Sequence, residues 1–99
     1  MRFRFSDKKL ETLYRTGEGS EGYPNGIAGI FVRRVRVIEG AIGENDLRAM
    51  KSLHFEKLKG QRNRHSIRLN KQWRLILTFE KDREGKIVVI IEINNHYED

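Results

Sequence analysis

Arg64 to Phe79 read RHSIRLNKQWRLILTF. His65, Ile67 and Leu69 alternate with Arg64, Ser66 and Arg68, and Trp73, Leu75, Leu77 and Phe79 alternate with Arg74, Ile76 and Thr78. A period of two belongs to a strand with one buried face, because successive side chains of an extended chain point to opposite sides. Two such runs flanking Asn70-Lys71 predict an antiparallel hairpin that turns at that dipeptide. Downstream, the polar loop Lys81-Asp82-Arg83-Glu84-Gly85-Lys86 leads to Ile87 through Ile93, an apolar run broken only by Glu92. Such a run reads as a central strand covered on both faces.

Upstream of the hairpin the period changes. Phe3 and Phe5 alternate with Arg2 and Arg4 and predict a short first strand. Ser6 then offers an N-cap for a helix from Asp7 to Arg15, with Leu10, Leu13 and Tyr14 as its apolar stripe. Gly17, Gly19, Gly22, Pro24 and Gly26 mark a loop, expected to be the most flexible part of the chain. Ile27, Ile30, Phe31, Val35 and Ile38 follow helical spacing and predict a second helix to Glu39, with Arg33, Arg34 and Arg36 pointing away from the core. Glu44 to Lys51, with acids near its start, reads as a third short helix. The expected fold is α+β: an N-terminal strand and two to three helices packed on one face of a mostly antiparallel twisted sheet, the other face open to a ligand. With no repeat, heptad or low-complexity segment, residues 1–99 are expected to form one domain.

Charge is concentrated around the same hairpin. Lys51 to Arg74 holds eight Lys and Arg against one acid, Glu56, a local +7 in a chain of net +6. Concentrated positive potential steers polyanions and holds them by counterion release, so nucleic acid is the first partner to expect. The absence of cysteine excludes disulfide and thiolate chemistry, and three scattered histidines give no metal-ligand spacing, so neither metal nor cofactor is expected. No apolar stretch is long enough for a signal peptide or membrane span, which points to a cytoplasmic protein.

Several residues can carry chemistry. Arg64, Arg68 and Arg74 fall on one face of the hairpin, where their forked donors suit phosphate oxygens; the plainer reading is a solvated face paired with neighbouring acids. Lys57 and Lys59, two apart beside Gly60, project together if that segment is extended, and one of them can shuttle a proton. Arg62 and Lys71 extend the basic surface. Of the histidines, His65 shares a face with Ile67 and Leu69 and reads as packed, whereas His96 stands in the polar ending Asn94-Asn95-His96-Tyr97, free of core duty. Tyr97 is placed to stack on a base or donate its hydroxyl, or else to fray, and Trp73 reads as core.

Leu58-Lys59-Gly60, His65 to Asn70, Gln72 to Leu75, and Ile91-Glu92-Ile93 with Asn95-His96-Tyr97 together resemble the HigB branch of the RelE superfamily, the toxins of bacterial toxin-antitoxin pairs also called plasmid maintenance system killer proteins. The close match covers about Leu53 to Tyr97. It implies a RelE-like fold and a ribosome-dependent endoribonuclease that cuts mRNA in the decoding site. It also implies inhibition by a HigA-type helix-turn-helix antitoxin, through which the pair binds operator DNA. By position it assigns Lys59 to the basic active-site patch, Arg74 to transition-state stabilisation and Arg68 to the same string, with proton transfers split between Lys59 and His96 or Tyr97. Lys57, Arg62, Arg64, Lys71 and Asn95 complete an RNA-binding surface. Family toxins often carry a histidine three residues before the lysine, where this chain has Glu56, and His54 nearby is the substitute. They also tend to end Asp-Tyr-His, where this chain has Asn95-His96-Tyr97. The rival reading is a non-nucleolytic inhibitor on the same scaffold, like the superfamily's gyrase poisons, or a plain RNA-binding module.

Overall fold

The computed structural model describes residues 1–95. The hairpin pairs β3 (Arg64–Arg68) with β4 (Arg74–Asp82), and β4 turns directly into β5 (Gly85–Asn94). Two short edge strands complete a five-stranded sheet of order β1-β5-β4-β3-β2, with β1 spanning Phe3–Phe5 and β2 Glu56–Lys57. Every pairing is antiparallel except β1 with β5. As its apolar run predicts, β5 lies inside the sheet, and Val88, Val89 and Ile90 are all buried.

Helices α1 (Lys8–Thr16), α2 (Ile27–Gly40) and α3 (Glu44–Ala49) form the other layer. Phe31, Val35 and Ile38 of α2 are fully buried in one cluster with Leu75, Leu77 and Ile90 of the sheet. Phe3, Phe5, Tyr14 and Phe31 stack edge-on or tilted at centroid distances of 5.5–6.5 Å, locking β1 to both long helices. Truncating a ring such as Phe31 to alanine costs about 3–5 kcal/mol in packing and cavity terms.

Local chemistry shifts several predicted boundaries. Asp7, not Ser6, caps α1, its carboxylate accepting from Leu10 N at 2.9 Å, while the Ser6 hydroxyl donates to Ile91 O. The third helix stops at Ala49 and a 3-10 turn, Lys51–Leu53, follows. The β3–β4 connection is longer than two residues: Asn70 Oδ1 accepts from both Gln72 N and Trp73 N at 2.8 Å, an Asx turn that puts Trp73 in the loop and in edge contact with Tyr23. On the face away from the helices, Ile76 is 0% and Val89 2% exposed although neither belongs to the core cluster. The centre of that face is therefore closed by the protein's own atoms, and the expected open face is confined to its ends.

Candidate functional site

Register assembles the site. Directly opposed residues of neighbouring strands share a face, so Arg68, Arg74 and Asn94 form one row across β3, β4 and β5. The adjacent row is Glu56, Ser66, Ile76 and Glu92, and the next is Arg64, Thr78 and Val89. Arg64, Arg68 and Arg74 thus do share the face that the alternation gave them.

Arg74 sits differently from expectation. It is 4% exposed rather than open. Its Nη1 donates to Asn70 O at 3.0 Å and to Trp73 O at 3.5 Å, and Arg68 Nε donates to the same Asn70 carbonyl at 3.3 Å. Asn70 therefore does two jobs: its side chain shapes the loop and its main-chain oxygen gathers two guanidiniums. Like charges directly opposed in a sheet repel, and this shared acceptor offsets that repulsion. Arg34 supports the row from behind, its Nε donating to Arg68 O at 3.1 Å. It does not point away from the core as the helical spacing suggested. Burial, and secondarily the neighbouring Arg33, lowers its pKa from the usual guanidinium value.

His54 joins this group. Its Nε2 is 3.2 Å from Arg68 Nη1; since a guanidinium can only donate, Nε2 is the acceptor in this hydrogen bond. The residue is left-handed, with φ 45° and ψ 49°, at the end of the 3-10 turn. A non-glycine residue there carries strain of about 1–2 kcal/mol, and such strain concentrates at functional positions.

Other candidates lie elsewhere. Lys57 pairs with His65 and so projects to the helix side of β2, while Glu56 takes the arginine side; Lys59 lies past the strand in a turn eased by Gly60 at φ +71°. The two lysines do not share an extended segment. Arg62 and Lys71 are exposed in loops, and Asn95 is exposed just past β5. His96 and Tyr97 lie outside the described residues. His65 is buried, stacked on Phe55 at 5.3 Å and edge-on to Phe79 at 4.9 Å. Burial, with help from Arg48 and Lys57, lowers its pKa from the usual imidazole value against the opposing pull of Glu44. Among the described residues no group of three or more His, Asp or Glu side chains is gathered to hold a metal ion, and no helix is long and apolar enough to cross a membrane.

The strand, three helices and mostly antiparallel sheet are consistent with what comparison with known proteins finds. Residues 3–97 match the RelE-like toxin of type II toxin-antitoxin systems, HigB. The chain belongs to the HigB-like toxin family. It is 36% identical over 77 residues to Toxin HigB-1 of Vibrio cholerae, covering 77% of this chain and 81% of that protein. It is also 31% identical over 99 residues to an uncharacterised protein of Haemophilus influenzae, covering 99% and 89% of the two chains. Membership of a type II toxin family implies an antitoxin partner for this HigB-like chain.

Two residues that hold the arginine row had parts the sequence reading missed, Asn70 and Arg34. Asn70 was visible only as a turn former. The signal for Arg34 was weaker still: helical phase puts it on the flank of α2 rather than on its outer side.

Proposed function

We propose that this protein is the toxin of a type II pair and acts as a ribosome-dependent mRNA endoribonuclease. The observation that carries the reading is the arrangement of Arg68 and Arg74, opposed across two strands, donating to one carbonyl, with His54 Nε2 on Arg68 Nη1.

In the reaction, a base removes the proton from a ribose 2′-hydroxyl, the 2′-oxygen forms a bond to the adjacent phosphorus, and the bond from phosphorus to the 5′-oxygen breaks. The departing 5′-oxygen takes a proton. The products are a 2′,3′-cyclic phosphate and a 5′-hydroxyl, and no metal is needed. Arg74 and Arg68 brace the charge that grows on the phosphorane, where their permanent charge and paired donors suit equatorial oxygens. In the resting protein the His54 lone pair is occupied by Arg68. A phosphate that captures Arg68 Nη1 releases that lone pair, so substrate binding readies the base. Lys59, His96 and Tyr97 remain the candidates for delivering the proton to the leaving oxygen, and Lys57, Arg62, Arg64, Lys71 and Asn95 for holding flanking RNA. The ribosome supplies substrate placement in its decoding site. A HigA-type helix-turn-helix antitoxin silences the toxin and carries the pair to operator DNA.

Primer extension on mRNA in a reconstituted translation reaction tests this. The expected result is cuts within codons that require ribosomes, leave cyclic phosphate ends and fade with Arg74→Ala. Arrested translation or growth with intact mRNA would overturn it and direct attention to gyrase and other non-nucleolytic targets.

A further inference from the structure

The backbone at His54 runs between two anchors. Leu53, the last residue of the 3-10 turn, is fully buried, and Phe55, just before β2, packs half-buried against the core cluster. His54 between them is exposed, and its imidazole goes instead to Arg68, whose row lies on the sheet face away from the helices. A left-handed residue with a Cβ persists only where its surroundings hold it. The hold on Phe55 is the stronger for being built from rings and charges together.

The Phe55 ring stacks on His65 with centroids 5.3 Å apart and planes 5° from parallel, and it meets Phe79 edge-on at 6.1 Å. His65 and Phe79 close the triangle. Arg48 Cζ stands over the Phe55 ring at 5.0 Å and Lys86 Nζ over the Phe79 ring at 5.5 Å. Glu44 pairs with both cations and so fixes them above the rings. Helix α3 and strands β3, β4 and β5 thus all contribute to one clamp. His65 pairs across the sheet with Leu77 of the core, so the clamp lies on the helix side. A phosphate seated on Arg68 and Arg74 meets the other face, and Phe55 has no substrate contact of its own. Resting on the reading of His54 as the base, we infer that Phe55, clamped by His65 and Arg48, is a positioning residue that holds His54 in the left-handed conformation from which Nε2 reaches Arg68. Without the ring, the residue relaxes towards ordinary negative φ and the imidazole leaves the arginine row.

The test is single-turnover cleavage of ribosome-bound mRNA over a series of ribosome concentrations. Phe55→Leu keeps an apolar side chain against the core and removes the ring. It is expected to lower the saturating rate by roughly tenfold to a hundredfold, the scale of a misplacement of about 1 Å, with the half-maximal ribosome concentration unchanged. Phe55→Tyr, which keeps the ring face, should recover most of the rate. In a His54→Asn background Phe55→Leu should cost nothing further, because the group it positions is already gone. Loss of folded protein lowers both backgrounds alike, so this cycle separates positioning from stability. Phe55→Leu at the wild-type rate, or an equal fold loss with and without His54, overturns the inference and leaves His54 as the base. A raised half-maximal concentration with the saturating rate intact also overturns it and makes Phe55 an RNA contact. Wild-type cleavage by His54→Asn removes the base, and the positioning role with it.

Discussion

At the β4–β5 turn, Arg2 holds Asp82 at 2.6 Å and Glu84 at 3.1 Å, Arg4 holds Glu80 at 3.1 Å, and Glu44 joins Lys86 at 3.2 Å to Arg48 at 3.6 Å. At the β3–β4 loop, Arg68 and Arg74 share the neutral main-chain oxygen of Asn70, and Arg68 also donates to His54. Both loops need their side chains fixed, and each uses a different acceptor. Carboxylates fix a guanidinium and cancel its charge. A carbonyl and an imidazole nitrogen fix Arg68 with no carboxylate partner among the described residues, and leave its charge available to a phosphate. The contrast separates the end of the sheet that serves folding from the end equipped for an anion.

Substitutions at the two ends should therefore differ in what they damage. The largest expected effect is at His54: asparagine tolerates the left-handed backbone but has no acid–base function, so His54→Asn should keep the thermal melt and lower the cleavage rate by roughly 10²–10⁴. Wild-type rates in that variant would remove His54 from proton transfer. Next comes Asn70→Ala, which unmakes the Asx turn and lets the shared carbonyl drift. Misplacement of about 1 Å is worth up to about a hundredfold in rate, seen as slower cleavage with both arginines still present.

A smaller effect concerns stability against pH. The folded protein holds His65 neutral, its pKa lowered chiefly by burial, so the unfolded chain binds more protons once pH falls below about 6.5. Stability is fully present above that value and declines as pH drops towards the folded pKa. Urea midpoints at pH 7.5 and 5.5 should show the decline in wild type and less of it in His65→Phe. The smallest effect belongs to the paired end. Arg2 draws the Asp82 carboxyl down to about 2, so this contribution is present above about 4 and lost as pH falls towards 2. Arg2→Ala should remove that part of the acid-unfolding curve, and a curve unchanged from wild type would show that the exposed pair contributes nothing measurable.

The sheet was legible because Arg64 to Leu69 and Trp73 to Phe79 are two alternating runs and Ile87 to Ile93 is apolar on both phases, patterns that survive any detail of the turns. The loops were less so. Asn70-Lys71 looked like a two-residue turn, but an asparagine whose side chain accepts from two amides three-dimensionally defines a longer one, and alternation carries no information about that. Placing Lys57 and Lys59 together assumed an extended segment, whereas β2 ends at Lys57 and a turn begins at Lys59. The partnership of His54 with Arg68 depends on a left-handed residue that no periodicity encodes. Within the site, the arginine row followed from the strand pattern, and what holds it in place did not.

The most direct test is single-turnover cleavage of ribosome-bound mRNA by wild type, Arg74→Ala and Arg2→Ala side by side. Loss of one charge donor to a developing oxyanion costs about 10²–10³ in rate, so Arg74→Ala should fall by that much while Arg2→Ala keeps the wild-type rate. Equal rates for Arg74→Ala and wild type, or an equal fall in both variants, would contradict the division between an end that serves folding and an end equipped for an anion.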